Sequence, residues 1–161
     1  TSIARALSVV RNFFRWCERN ARLTNQAIQS VRTPRLPHAV PRPLSPVDAR
    51  DVIDVARDNA DEPWIGLRDA ALFTLLYGCG LRISEALGLT PDQIGDATDL
   101  LVVDGKGGKQ RMVPVLPVVR EAVRAYVGAC PHRLASGQVL FRGARGGPLN
   151  PGVAQRRMRL K

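Results

Sequence analysis

Tyr77-Gly78-Cys79-Gly80-Leu81-Arg82-Ile83-Ser84-Glu85-Ala86-Leu87-Gly88-Leu89 stands where a long apolar segment ends and a new, shorter one begins. Gly78 and Gly80 are the residues with which a helix end reaches left-handed backbone angles. Arg82 and Glu85, three apart, are neighbours on one helical face. Ile83 and Leu87 make the adjacent apolar face. The expectation is an arginine at the mouth of a short helix, with packing behind it and a carboxylate beside it. Such a pair alone is ordinarily a solvated ion pair worth a few tenths of a kcal/mol. Its surroundings change that reading.

Downstream lies Asp104-Gly105-Lys106-Gly107-Gly108-Lys109-Gln110-Arg111, a basic glycine turn between the apolar runs 100–103 and 111–115. This pattern predicts a two-stranded hairpin with Lys106 near its tip. The glycines allow a close backbone approach, and a lysine on such a tip can reach into a groove. The turn lacks the spacing and the Lys-Ser/Thr ending of a nucleotide P-loop.

Upstream, residues 63–77 are apolar around most of a helical circumference and predict the central buried helix. Ser45-Pro46-Val47-Asp48 carries the cap, proline and acid of a helix start. Val47, Val52, Val55 and Ala56 are its expected apolar face. Asp48, Asp51, Asp54 and Asp58 read as a solvated outer face rather than a metal site. Thr90-Pro91-Asp92-Gln93 opens a single turn. Residues 117–127 predict an amphipathic helix with Val118, Val119, Ala122, Val123 and Tyr126 inward. Val139-Leu140-Phe141 reads as a third short strand and 142–148 as a basic, glycine-rich loop. A last helix starts at Asn150-Pro151 and carries Arg156, Arg157, Arg159 and Lys161.

Before all this, residues 2–22 predict one helix capped by Ser2. Ile3, Leu7, Val10, Phe14 and Cys17 form its expected core face, and Arg11, Arg15 and Arg19 a basic stripe suited to phosphate contact. Residues 24–31 add a second short helix. Two helices do not bury a core alone. Five prolines (Pro34, Pro37, Pro41, Pro43 and Pro46) break helix and strand across the following stretch, making 32–45 a linker.

The charge distribution points to a polyanion. The net charge is +10 over 161 residues. Residues 1–47 hold eight basic residues against one acid, 48–104 four against twelve, and 105–161 twelve against one. Two basic ends around an acidic middle suit a clamp on nucleic acid. No apolar run approaches the roughly 20 residues of a spanning helix, and no signal-peptide pattern is present. Cys17, Cys79 and Cys130 are scattered, without a C-x-x-C, as expected of reduced thiols in a cytoplasmic protein. His38 and His132 lack ligand partners in sequence, so no metal site is expected.

Residues 77–89 together with Gly105-Lys106-Gly107-Gly108-Lys109-Gln110-Arg111-Met112-Val113-Pro114 resemble the tyrosine recombinase/integrase family, and most closely its bacterial Xer-type members. The resemblance implies a mainly α fold with a small antiparallel β-hairpin or sheet. Residues 1–31 would be the last helices of a core-binding domain, 32–45 a linker, and 46–161 the first half of a catalytic domain. It also implies site-specific cutting and rejoining of double-stranded DNA, as in chromosome dimer resolution, by a tetramer of this protein or of it with a paralogue. Metal and nucleotide cofactors are not implied. Arg82 matches the family's first catalytic arginine, which binds the non-bridging oxygens of the scissile phosphate. Glu85 matches the acid that supports it, and Lys106 the lysine that protonates the leaving 5′ oxygen. Lys109 and Arg111 join Arg11, Arg15 and Arg19 as expected DNA contacts. The family's His-x-x-Arg motif, its later His or Trp and its nucleophilic tyrosine have no match here; Tyr77 and Tyr126 do not fit that role. The expectation is a piece of an enzyme that does not cleave DNA alone. The alternatives are a phage or mobile-element integrase and a truncated, non-catalytic DNA-binding protein.

Overall fold

Leu72, Leu75 and Ala71 are fully buried in the middle of one helix, and the second half of the chain is built around it. The computed structural model describes residues 2–20, 22–34, 43–95, 97–105, 108 and 110–159. The chain divides into two units, Thr1–Pro43 and Leu44–Lys161.

In the first unit, α1 spans Ser2–Arg19 and α2 spans Ala27–Ser30. The helix stops three residues short of the expected end, where the Arg22 amide bonds the Cys17 carbonyl at 3.0 Å. Of the expected core face, Cys17 is buried and Leu7 and Phe14 are half-buried, whereas Ile3 and Val10 are exposed. The four-residue α2 offers α1 too little surface to cover the rest.

In the second unit, α3 (Pro46–Asp58) begins with the predicted capping box. The Ser45 hydroxyl accepts the Asp48 amide, and the Asp48 carboxylate accepts the Ser45 amide. Its buried face is Ala49 and Ala56, with Val52 and Ile53 beside them. Val47 and Val55, assigned inward from sequence, are exposed. The small residues let α3 approach α4 (Pro63–Cys79) closely: a Cβ on Gly66 would sit 2.1 Å from the Arg57 carbonyl oxygen. Helix α4 ends at Gly80, at φ 59°, the left-handed angle that glycine reaches without strain. Gly78 is not left-handed; a Cβ there would sit 2.9 Å from Val119, so its role is close packing.

After α5 (Ile83–Leu87) comes a 3-10 turn at Pro91–Gln93, where the Gln93 side chain accepts the Thr90 amide at 2.9 Å. Strands β1 (Leu100–Asp104) and β2 (Gln110–Pro114) form the expected antiparallel hairpin, with Leu100 opposite Pro114 and Asp104 opposite Gln110. Helix α6 (Pro117–Ala129) buries Val119, Val123 and Tyr126 against α4. Val118, expected inside, is exposed. Residues 139–141 do not form the predicted third strand. Leu140 and Phe141 are fully buried but make single backbone bonds, from the Leu140 amide to the Leu89 carbonyl and from the Leu149 amide to the Phe141 carbonyl. The apolar triplet fills the core as a loop. Helix α7 (Pro151–Arg159) starts with the Asn150 side chain accepting the Gly152 amide at 2.8 Å.

Beneath α7 lies a charged network. Arg68 and Asp69, both buried within α4, pair through Nε and Nη2 of the guanidinium to Asp69 Oδ1 at 2.8 and 2.7 Å. Arg68 Nη1 donates to the Arg142 carbonyl at 3.0 Å, and Arg157 of α7 donates from Nε to Asp69 Oδ2 at 2.8 Å. The last helix is thus seated by an ion pair as well as by the buried Ala154. A base and an acid inside an otherwise apolar helix were the sequence signal for it, because such side chains are buried only when paired.

Candidate active site

Arg82 is the N-cap of α5, in extended backbone just after the left-handed Gly80. Its position follows from the elements around it: the buried Leu81 anchors one side and the fully buried Ala86 the other. The side chain remains 66 % exposed. Glu85, one turn in, reaches back to it. The Arg82 amide donates to Glu85 Oε2 at 2.7 Å, and Arg82 Nη1 to Oε1 at 2.8 Å.

Glu85 has a second arginine. Arg111, on β2, donates from Nη1 to Oε1 at 2.9 Å and from Nη2 to Oε2 at 2.8 Å, a bidentate fork. The Glu85 side chain is only 7 % exposed. Arg111, foremost, and the Arg82 amide hold its carboxyl down to about 2. One carboxylate therefore joins the start of α5 to the hairpin and leaves the outer face of Arg82 open. Two guanidiniums against one carboxylate leave a net positive site, suited to an anion.

This arrangement sets an acid limit. The folded carboxyl lies below its ordinary value of about 4.5, so its contribution to stability is full above that value and fades as pH falls toward 2. Denaturation midpoints followed from pH 6 to pH 3 should fall less steeply in Glu85→Gln than in the parent. Parallel curves would mean that the carboxylate is not held as described.

Of the other residues singled out from sequence, Lys106 and Lys109 lie outside the described residues. Arg111 is half-buried with its fork on Glu85, rather than free on the surface. In the first unit, Arg15 and Arg19 are exposed. Arg11 instead ties α1 to the segment after it, donating to the Val31 and Ile28 carbonyls and to the Thr33 hydroxyl. Tyr126 is fully buried, donates to the Leu140 carbonyl and accepts the Arg142 amide, each at 3.0 Å; burial pushes its phenol up. Tyr77 is half exposed and lines a groove of about 900 Å³ between α3, α4 and α6 that includes neither Arg82 nor Glu85. Among the described residues no three His, Cys, Asp or Glu side chains converge as a metal site, and no helix is long and apolar enough to cross a membrane.

The residues 47–160, which carry the whole Arg82–Glu85–Arg111 cluster, match the model of the phage integrase family. The chain belongs to the phage integrase family. Among its relatives, the protein named tyrosine recombinase XerC of Mesorhizobium japonicum is 48 % identical over 158 residues, covering 98 % of this chain and 51 % of the relative. The tyrosine recombinase XerC of Rhodospirillum centenum is 51 % identical over 156 residues, covering 97 % and 46 %. This member of the family thus spans about half the length of the curated relatives it matches. Solved structures share the fold: a XerA recombinase at a TM-score of 0.61 and 21 % identity over 96 % of this chain and 51 % of that one, and a lambda integrase tetramer bound to a Holliday junction at 0.68 and 17 % over 95 % and 44 %. The mainly helical architecture with one small antiparallel sheet is that of these family members.

Proposed function

We propose that this chain is part of a tyrosine-type, Xer-like site-specific recombinase, and that Arg82 binds the scissile phosphate of double-stranded DNA. The observation that carries this is the exposed Arg82 fork, fixed at a helix mouth by a nearly buried carboxylate that is itself clamped by Arg111. Phosphoryl transfer requires positive donors held in place around the phosphate, and a guanidinium supplies two in a plane. Lys106, which falls between β1 and β2 in the sequence, delivers the proton to the leaving 5′ oxygen. Residues 1–31 are the end of a core-binding domain, 32–45 a linker and 46–161 the first half of the catalytic domain. The whole protein works in the cytoplasm as a tetramer on DNA, with itself or with a paralogue. The identity to proteins named XerC, near half of all aligned positions, favours this reading over a phage or mobile-element integrase.

The 161 residues alone bind DNA and do not cut it. Their two tyrosines are a buried phenol and a residue lining a groove apart from Arg82. Incubation with a nicked duplex followed by denaturing electrophoresis should give no covalent adduct; an adduct would sink this part of the reading.

DNA affinity should fall with salt, because phosphate contacts release counterions. Arg15→Ala and Arg19→Ala should each lower the slope of log affinity against log salt by about 1. Arg11→Ala should leave the slope unchanged, since its guanidinium is committed within the protein. Fluorescence anisotropy on a short duplex from 50 to 300 mM salt, on the order of the range where such slopes are read, measures all three. Equal slopes in all would remove α1 from the DNA contact.

A further inference from the structure

We infer that Arg111 is a positioning residue: from strand β2 it grips Glu85, and through Glu85 it orients Arg82 and couples the β1–β2 hairpin to the phosphate-binding arginine. The inference rests on the recombinase reading of Arg82 and replaces a direct DNA contact as the main task of Arg111.

Strand parity comes first. Along β2 and the residue after it, Val113 and Val115 are buried while Met112 and Pro114 are exposed. Arg111 shares the parity of the buried pair, so its side chain leaves the strand on the packed face. A cation there needs a partner, and Glu85 is the partner. Both terminal nitrogens of Arg111 are spent on the two carboxylate oxygens.

Stoichiometry comes second. Each Glu85 oxygen accepts one bond from Arg111 and one from Arg82. Without Arg111, both remaining bonds come from Arg82, the residue to be oriented. Only one of these, from the backbone amide to Oε2, is independent of the side chain to be oriented, and a single bond to one oxygen leaves the carboxylate free to turn about it. Arg111 supplies the second anchor, on both oxygens, from a different element 26 residues away in sequence.

The hairpin supplies the third element. Arg111 pairs with Val103, and the next pair, Asp104 with Gln110, closes the ladder below the tip; Gln110 Nε2 also bonds Asp104 Oδ1 at 3.0 Å. The end of the ladder, Asp104 with Gln110, is therefore one pair away from the ion pair that ties β2 to Glu85 beside Arg82. Displacing the hairpin pulls on Glu85, and so on Arg82.

The test is made on the 161-residue chain by proton–nitrogen spectra of the arginine Nε groups, with Arg82 assigned by its loss in Arg82→Lys. The parent should show a distinct Arg82 resonance, and Glu85 should stay ionised from pH 6 to pH 3. In Arg111→Ala the Arg82 resonance should merge with those of exposed arginines, and Glu85 should begin to titrate within that range. Arg111→Lys, which returns the charge but not the fork, should restore both in part. An unchanged Arg82 resonance and Glu85 titration in a folded Arg111→Ala would overturn the inference. If amide spectra show Arg111→Ala unfolded, Glu85→Gln decides: Arg82 and Arg111 resonances should move together, and movement of one alone overturns the coupling. Failure of the parent reading is separate. If duplex DNA leaves the Arg82 resonance of the parent in place, Arg82 is not a phosphate ligand, whatever Arg111 does to it.

Discussion

Arg82→Ala, in a catalytically competent recombinase carrying this chain, is expected to slow single-turnover strand cleavage by about 10³-fold or more, as removal of a fixed transition-state donor does elsewhere. Duplex affinity should change by less than about 5-fold, because on the proposed reading Arg82 would be one phosphate contact among several. The asymmetry follows from geometry. The guanidinium is held by Glu85 before DNA arrives, so its bonds need no reorganisation when charge builds on the phosphate. Arg82→Lys should recover only a small part of the rate, since an ammonium lacks the planar fork. Rapid-quench cleavage beside anisotropy titration reads both quantities. Equal losses in rate and affinity would make Arg82 a general phosphate anchor.

Asp69→Ala carries the largest expected cost to stability, about 3–5 kcal/mol. Asp69 is fully buried and receives Arg68 on one oxygen and Arg157 on the other. Its removal strands the buried Arg68 without a counter-ion and releases the ion pair that seats α7 on α4. A joint replacement of Arg68, Asp69 and Arg157 by apolar residues of similar volume should cost much less, because it removes the charges together with their desolvation. Urea denaturation of the two variants compares them directly. A single variant no worse than the joint one would mean that the network is solvated rather than buried.

The turn at Gly80, the capping box at Ser45, the buried helix and the hairpin were legible because each rests on local rules: left-handed glycine, side-chain caps, periodicity. The phase of α3 was not. Val47 and Val55 outrank Ala49 in hydrophobicity, but the close approach at Gly66 selects small residues, and that contact is made by a different helix. Residues 139–141 have strand composition, yet among the described residues they pair with no strand, and they are buried as a loop. At the site, the Arg82–Glu85 pair could be read from its three-residue spacing. The Arg111 fork could not be read from spacing, being 26 residues distant, although its parity with Val113 and Val115 was a signal that it turns inward. The basic stripe of α1 was visible as three arginines four apart; that Arg11 departs from it depends on carbonyls and a hydroxyl from 28–33, placed there only by tertiary structure.

The most direct measurement is cleavage, by a catalytically competent recombinase carrying this chain, of a substrate whose scissile phosphate is replaced by a neutral methylphosphonate, with Arg82 and with Arg82→Ala. If Arg82 exists to hold the charged non-bridging oxygens, the large defect of the variant on ordinary DNA should shrink to a few-fold, on the order of a single lost neutral hydrogen bond, on the uncharged substrate. An undiminished defect on the methylphosphonate would contradict the account, because Arg82 would then be acting on something other than the phosphate charge.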